Sequence, residues 1–189
     1  KEVKIEQLDA AWTTSRLQGW PKDIRVWGDL GLTAANWAER PIRLVGQPDG
    51  SGVRDFFKHA IEEDGTAKPN IERGTDVMSM VDTIITDQST MGYGSVSQVY
   101  TSTKSVPVIP VGTKTAVEPT QANVANGTYP LTMFTYMYVN KAPGAPLEPN
   151  ANKFMMFVLS KEGQKQVQLD GHVPLPEDLL RMGLRRLER

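Results

Sequence analysis

The stretch that decides the fold is Pro41-Ile42-Arg43-Leu44-Val45-Gly46-Gln47-Pro48-Asp49-Gly50-Ser51-Gly52, residues 41–52 of a 189-residue chain. Ile42-Arg43-Leu44-Val45 has strand composition and meets Gly46, from which a polar, glycine-rich turn leads onward. The apolar residues that follow are spaced as on one face of a helix: Val53, Phe56, Phe57, Ala60 and Ile61. The sequence therefore predicts a strand, a short turn and a helix in direct succession.

The rest of the chain continues this alternation. Helices are predicted at residues 3–12 and 76–86, the second one capped by Thr75. Short strands are predicted at residues 91–96, 106–110 and 133–139. From Asn152 onward the pattern is helical. Strands that alternate with helices indicate an α/β fold with a mixed sheet flanked by helices. A linker rich in Pro and Gly, residues 141–146, separates this portion from a helical C-terminal tail.

Composition limits the classes of function. The formal net charge is −1, with 39% hydrophobic and 23% charged residues, which are ordinary values for a globular protein. This balance gives no reason to expect nucleic acid as a partner. The chain has no cysteine, which excludes disulfides and thiolate metal sites but does not indicate a compartment. No apolar run approaches the roughly 20 residues of a membrane span.

The turn Asp49-Gly50-Ser51-Gly52 has the features of a small anion-binding site. Its glycines let a ligand approach the backbone, while the N–H groups and dipole of the following helix favour negative charge. Ser51 adds a hydroxyl donor, and Arg54 can make a charge-assisted contact. Asp49 can accept a hydrogen bond from a protonated oxyanion such as monohydrogen phosphate. The same residues are also explained by an ordinary helix cap after a glycine turn.

Sequence motifs for catalysis or metal binding are missing. The Gly-Lys-Ser/Thr ending of a nucleotide-binding phosphate loop is absent, and Gly50-Ser51-Gly52 does not supply the Gly-x-Ser-x-Gly turn of a serine hydrolase. His59 and His172 are far apart, without a carboxylate cluster at ligand spacing. We therefore expect no enzyme, no metal site and no cofactor.

Several segments, in this order and spacing, resemble the phosphate-binding proteins of phosphate ABC importers. Besides residues 41–52, the matching segments are Ile5–Ala10, Trp27–Gly31, Met91–Gly94, Tyr129–Leu131, Tyr138–Lys141, Leu159–Gln164 and Gly171–Pro176. Together they span nearly the whole chain. The resemblance implies a periplasmic-binding-protein type II-like fold, in which two lobes grip phosphate between them. Residues 1–140 would form the second, α/β lobe. Residues 141–189 would be the linker and a helical return to an incomplete first lobe.

The resemblance also implies roles for individual residues. Ser51 and Gly52 would bind phosphate, Asp49 would accept its proton, and the position after Gly46 would be an arginine. In this sequence that position is Gln47. At the position after Ser-Gly, where the family has a threonine, this sequence has Val53. The next residue, Arg54, matches an arginine that a subset of relatives has at this position. The predicted site is therefore Gln47, Asp49, Gly50, Ser51, Gly52 and Arg54.

The implied ligand is inorganic phosphate or a similar small oxyanion, and the implied partner is the permease of an ABC importer. The implied location is the periplasm or cell surface, although no signal peptide precedes Lys1. The N-terminal segment of the family's first lobe has no counterpart here, so we expect it to have been cut away or to be supplied by a completing chain. An alternative suggested by Gln47 and Val53 is a structural or protein-interaction module that keeps the fold without the ligand.

Overall fold

A computed structural model describes residues 2–34, 36–98 and 102–187 of the chain. Its strands are β1 (Val3–Lys4), β2 (Arg43–Gly46), β3 (Glu72–Arg73), β4 (Thr90–Gly92) and β5 (Val108–Ile109). Its α-helices are α1 (Ile5–Trp12), α2 (Gly52–Ala60), α3 (Val77–Thr86), α4 (Gln121–Ala125), α5 (Pro149–Val158), α6 (Lys161–Leu169) and α7 (Glu177–Leu187). Short 3₁₀ helices lie at Trp27–Leu30 and Val96–Gln98.

The chain divides into two compact units. Unit 1 comprises residues 1–119 and 129–131, and unit 2 comprises residues 120–128 and 132–189. The strands β1 to β5 and the helices α1 to α3 belong to unit 1, whereas α4 to α7 belong to unit 2.

The sheets of unit 1 are built from parallel strands. One sheet has the order β3-β2-β4, and β1 pairs with β5 in a second, two-stranded sheet. Antiparallel pairing is present as isolated bridges, among them Val108 with Val117 beside β5. The α/β fold class is thereby confirmed. The helix predicted at residues 3–12 begins later, because Val3 and Lys4 pair with β5.

Strand β2 is buried on both of its faces, as expected for the centre of a parallel sheet. Leu44 belongs to the main core cluster, which also contains Trp12 of α1 and Phe57 of α2. Val45, on the other face, packs with Met80 and Val81 of α3 in a second cluster. This two-sided burial explains the continuous apolar run at residues 44–45 and holds β2 firmly beneath the turn that follows it.

Both helices next to the sheet begin at a side-chain cap. Ser51 is the N-cap of α2, and its Oγ accepts a hydrogen bond from the N–H of Arg54 at 3.1 Å. The cap of α3 is Asp76, whose Oδ1 accepts from the N–H of Ser79 at 2.8 Å. The predicted cap, Thr75, was therefore wrong by one residue. An aspartate outcompetes the neighbouring threonine because its charged oxygen interacts more strongly with the helix N-terminus.

Unit 2 is helical, as predicted for the chain after Asn152. The strand predicted at residues 133–139 is wrong, because this segment has no regular secondary structure. A strand needs a neighbouring strand for its backbone hydrogen bonds, and the described part of unit 2 has none. The segment instead exposes large apolar side chains, including Tyr138, which is 92% exposed.

None of the described helices combines the length and the apolar composition that crossing a bilayer would require.

Candidate functional site

The predicted turn lies at the edge of the sheet where its parallel strands end. Strand β2 lies between β3 and β4. The chain leaves β2 through α2 to reach β3, and then passes through α3 to reach β4 on the other side. Open α/β sheets bind their ligands outside the carboxyl ends of the strands, at the point where the strand order reverses. Residues 47–52 occupy this point.

The turn leaves open space next to its glycines. Gly50 has a positive φ of 81°, which favours glycine over other residues at this position. A Cβ added to Gly50 or to Gly52 would meet no atom within 4 Å. Gly52 and Val53 are the first residues of α2, so their N–H groups have no preceding helical carbonyl to bond. This turn therefore offers an approachable helix N-terminus.

Arg54 is held inside unit 1 by a buried acid. Its side chain is only 8% exposed, and its Nη2 donates to Oε2 of the fully buried Glu62 at 2.9 Å. Burial would lower the pKa of Arg54, but the hydrogen bond and opposite charge of Glu62 outweigh burial, and the pKa is raised. The Nη1 of Arg54 is buried and has no hydrogen-bond partner. The arginine therefore remains charged and keeps a free donor.

Asp49 lies on the solvent side of the turn. Its side chain is 82% exposed, and its Oδ1 is 3.9 Å from Nε of Arg54 and 3.7 Å from Nε of Arg73. The predicted residues Asp49 and Arg54 are thus brought together with a second arginine.

Gln47 lies beneath the turn. It is 1% exposed, and its Nε2 donates to the carbonyl oxygen of Tyr93 at 3.2 Å and contacts Sδ of Met80 at 3.4 Å. These contacts tie the end of β2 to the segment after β4. Both contacts use the side-chain amide nitrogen of Gln47. This predicted ligand donor is therefore engaged inside unit 1.

Sequence reasoning missed Arg73 and Glu62, and it included Tyr93 only within the matching segment Met91–Gly94. Tyr93 stacks on Phe57 with ring centroids 3.8 Å apart, and its hydroxyl is buried without a hydrogen-bond partner. Burial raises the pKa of Tyr93, although the positive charges of Arg54 and Arg73 act in the opposite direction. The sequence predicts no strand at Glu72–Arg73, so nothing in it pointed to Arg73 as a neighbour of β2.

Each histidine lies beside a carboxylate on the surface. His59 Nδ1 lies 2.7 Å from Asp64 Oδ2, and His172 Nδ1 lies 3.1 Å from Asp170 Oδ2. Within residues 2–34, 36–98 and 102–187, no group of three or more His, Cys, Asp or Glu residues has the geometry to hold a metal ion.

Comparison with curated proteins finds relatives along the whole chain. The phosphate-binding protein PstS of Pseudomonas aeruginosa is 36% identical over 187 residues, which are 99% of this chain and 58% of that protein. The phosphate-binding protein PstS of Staphylococcus saprophyticus is 27% identical over 158 residues, covering 81% of this chain and 46% of that protein. The chain thus spans about half the length of these relatives.

Solved structures share the fold. A Clostridium perfringens structure described as a phosphate ABC transporter substrate-binding protein with bound phosphate superposes with a TM-score of 0.67 at 24% identity, over 93% of this chain and 64% of that one. An ABC-type phosphate transport receptor from Vibrio cholerae gives a TM-score of 0.64 at 19% identity, over 93% and 65%. The family model described as a PBP superfamily domain matches residues 3–162. The chain therefore belongs to the PBP superfamily.

Proposed function

We propose that this chain forms part of a solute-binding protein that binds inorganic phosphate, or a similar oxyanion, for an ABC importer. The observation that carries the proposal is the open N-terminus of α2 at the carboxyl edge of the sheet, with Arg54 in its first turn. Helix N-termini favour anions, and a guanidinium adds a charge-assisted contact. The names and bound phosphate of the relatives support the same ligand.

In this proposal the residues of the turn have distinct roles. Ser51 and the backbone of Gly52 contact the anion, Gly50 shapes the turn, and Asp49 accepts a hydrogen bond from the protonated ligand while it faces Arg54. Gln47 supports the turn from beneath by its bond to the Tyr93 carbonyl. We propose binding and not catalysis: Ser51 Oγ accepts the N–H of Arg54 as the helix cap, and its O–H can donate to the anion.

The proposed partner is the permease of the importer, and the proposed location is the periplasm or cell surface, where such a protein meets its solute. We further propose that residues 1–140 act as the second lobe, and that residues 141–189 return to the first one. The apolar side chains exposed in unit 2 support a covering segment or completing chain: Met133, Phe134, Tyr136, Tyr138, Phe154, Met156 and Phe157.

Titration calorimetry with phosphate tests the function on the protein as its gene encodes it. We expect saturable heat with phosphate, and a dissociation constant about three- to tenfold weaker for Ser51→Ala, which lacks one neutral hydroxyl contact. Ser51→Thr keeps the hydroxyl and should bind nearly as well as the unaltered protein.

Ser160→Ala is the matched control. Ser160 caps α6 in unit 2, and its Oγ accepts from the N–H of Gly163 at 3.1 Å, so the same cap chemistry is removed away from the site. It should lower the melting temperature without changing phosphate affinity. Absence of any heat or thermal shift at millimolar phosphate would favour the alternative, a ligand-free interaction module on the same fold.

A further inference from the structure

Two guanidinium groups converge on one oxygen atom at the mouth of the turn. The Nε atoms of Arg54 and Arg73 lie 3.9 Å and 3.7 Å from Oδ1 of Asp49. Arg54 comes from α2 and Arg73 from the end of β3, so two different elements supply the positive charges. The family resemblance leads one to expect an arginine at the position of Gln47. Arg73 is far from Gln47 along the chain, but the pairing of β2 with β3 brings the two residues close together.

Arg73 reaches this position because Gly46 has no side chain. Gly46 and Arg73 are register partners in the β2–β3 ladder. A Cβ added to Gly46 would collide with Nη1 of Arg73 and would lie 3.3 Å from the hydroxyl oxygen of Tyr93. The guanidinium of Arg73 therefore lies across the end of β2, directly before the anion-binding turn.

Buried donors without partners gather around this guanidinium. Nη1 of Arg73, Nη1 of Arg54 and the hydroxyl of Tyr93 are all buried and make no hydrogen bond. Buried polar atoms are nearly always paired, so three unpaired ones in one neighbourhood mark a place built for polar contact. Most of the Arg73 side chain is buried, which holds its guanidinium in a restricted position.

The local charges are balanced only because Arg73 is present. The ion pairs join two arginines, Arg54 and Arg73, to two carboxylates, Asp49 and Glu62. The two positive charges cancel the two negative ones. Without Arg73 this group carries a net charge of −1, which repels an incoming anion.

We propose that Arg73 is a second anion-binding arginine of this site and supplies, from the neighbouring strand, the charge that Gln47 does not carry. The inference rests on the proposed function. In it, Arg73 and Arg54 approach the oxyanion from two sides, and Asp49 aligns both guanidinium groups at the turn. The ligand class is a small, doubly charged tetrahedral oxyanion, and inorganic phosphate is the probe.

The test is phosphate calorimetry on the protein as its gene encodes it, at low and at high ionic strength. Arg73→Gln should weaken binding about 10- to 100-fold, the loss of one charge-assisted contact. Its affinity should also depend less on salt than that of the unaltered protein, because one charge has left the site. Arg73→Lys, which keeps the charge but not the planar fork, should bind with intermediate affinity.

Two further variants separate binding from folding. Gly46→Ala keeps every charge but displaces the end of the Arg73 side chain, so we expect about tenfold weaker phosphate binding. Arg181→Gln removes one positive charge from α7 of unit 2, where Arg181 faces Glu177 on the surface, and should leave phosphate affinity unchanged. If the unaltered protein binds phosphate and Arg73→Gln binds it equally well, the role of Arg73 is wrong while the proposed function stands. If the unaltered protein does not bind phosphate, both fail.

Discussion

The side chain of Arg54 illustrates how single residues create the site. Its backbone N–H serves the cap of α2, and its guanidinium is bonded to Glu62, two residues after that helix ends. A buried arginine and a buried glutamate are each costly to place in the protein interior, and each makes the other tolerable. The pair positions a permanent positive charge close to the N-terminus of α2. The guanidinium and the helix N-terminus both favour an anion at this place.

Removing one partner of this pair should therefore be far worse than removing both. Arg54→Met leaves Glu62 buried without its counter-charge and should lower the free energy of unfolding by about 3 kcal/mol or more. The double variant Arg54→Met, Glu62→Met should recover most of that loss, because it leaves no buried charge unpaired. Chemical denaturation measures both. Neither variant should bind phosphate well, because both lack Arg54. The double variant should therefore recover stability without recovering phosphate binding.

A loss below about 1 kcal/mol for the single variant would contradict this account, since it would mean that water reaches Glu62 and replaces the arginine.

Arg43, at the amino end of β2, joins several elements through a different set of charges. Arg43 of β2 makes a two-bond contact with Glu72 of β3, with Nε–Oε1 at 2.6 Å and Nη2–Oε2 at 2.7 Å. Its Nη1 also lies 3.4 Å from Asp87, which caps the C-terminus of α3. This exposed network links β2, β3 and the C-terminus of α3, so we expect it to contribute to stability.

The network makes part of the stability depend on pH. The hydrogen bond from Arg43 lowers the pKa of Glu72 below its ordinary value. A lowered carboxyl pKa stabilises the fold above the unfolded-state value of about 4.3, and this stabilisation is lost as the pH falls through the lowered pKa. Thermal unfolding should show Arg43→Met less stable than the unaltered protein near neutral pH, with the difference shrinking below pH about 4.

High salt should reduce the difference at neutral pH, because the pair is exposed and screened. An Arg43→Met protein that loses more stability in acid than the unaltered one would contradict the assignment.

At the scale of the whole molecule, unit 1 and unit 2 differ in how much of their apolar side chains they bury. Unit 1 buries a continuous core around Trp12, Phe57 and Ile61. Unit 2 exposes aromatic and aliphatic residues at positions 133–139 and on α5. This exposure of apolar side chains is the observation behind the proposed covering segment or completing chain. The near-zero net charge leaves anion binding to local groups and not to the field of the whole molecule.

The exposed segment gives a test of coverage. If a first-lobe segment or a completing chain packs on residues 133–139, Tyr138→Asp should lower the free energy of unfolding of the protein as its gene encodes it by about 1–3 kcal/mol. Val111→Asp, at an exposed apolar position of unit 1, is the control and should change it by less than about 0.5 kcal/mol. Equal, small effects of the two substitutions would show that Tyr138 remains uncovered.

What the sequence determined by itself is local: the strand that leads to Gly46, the glycine turn, and the helix that follows it. These follow from residue conformation, cap chemistry and apolar periodicity, which act over a few neighbouring residues. The prediction at residues 133–139 failed because strand composition becomes a strand only beside a partner strand. Tertiary structure alone decided that Glu62, Arg73 and Tyr93 surround the turn. Their contacts with Arg54 and Gly46 arise because parallel strands bring their carboxyl ends to one edge, where residues far apart in the chain become neighbours.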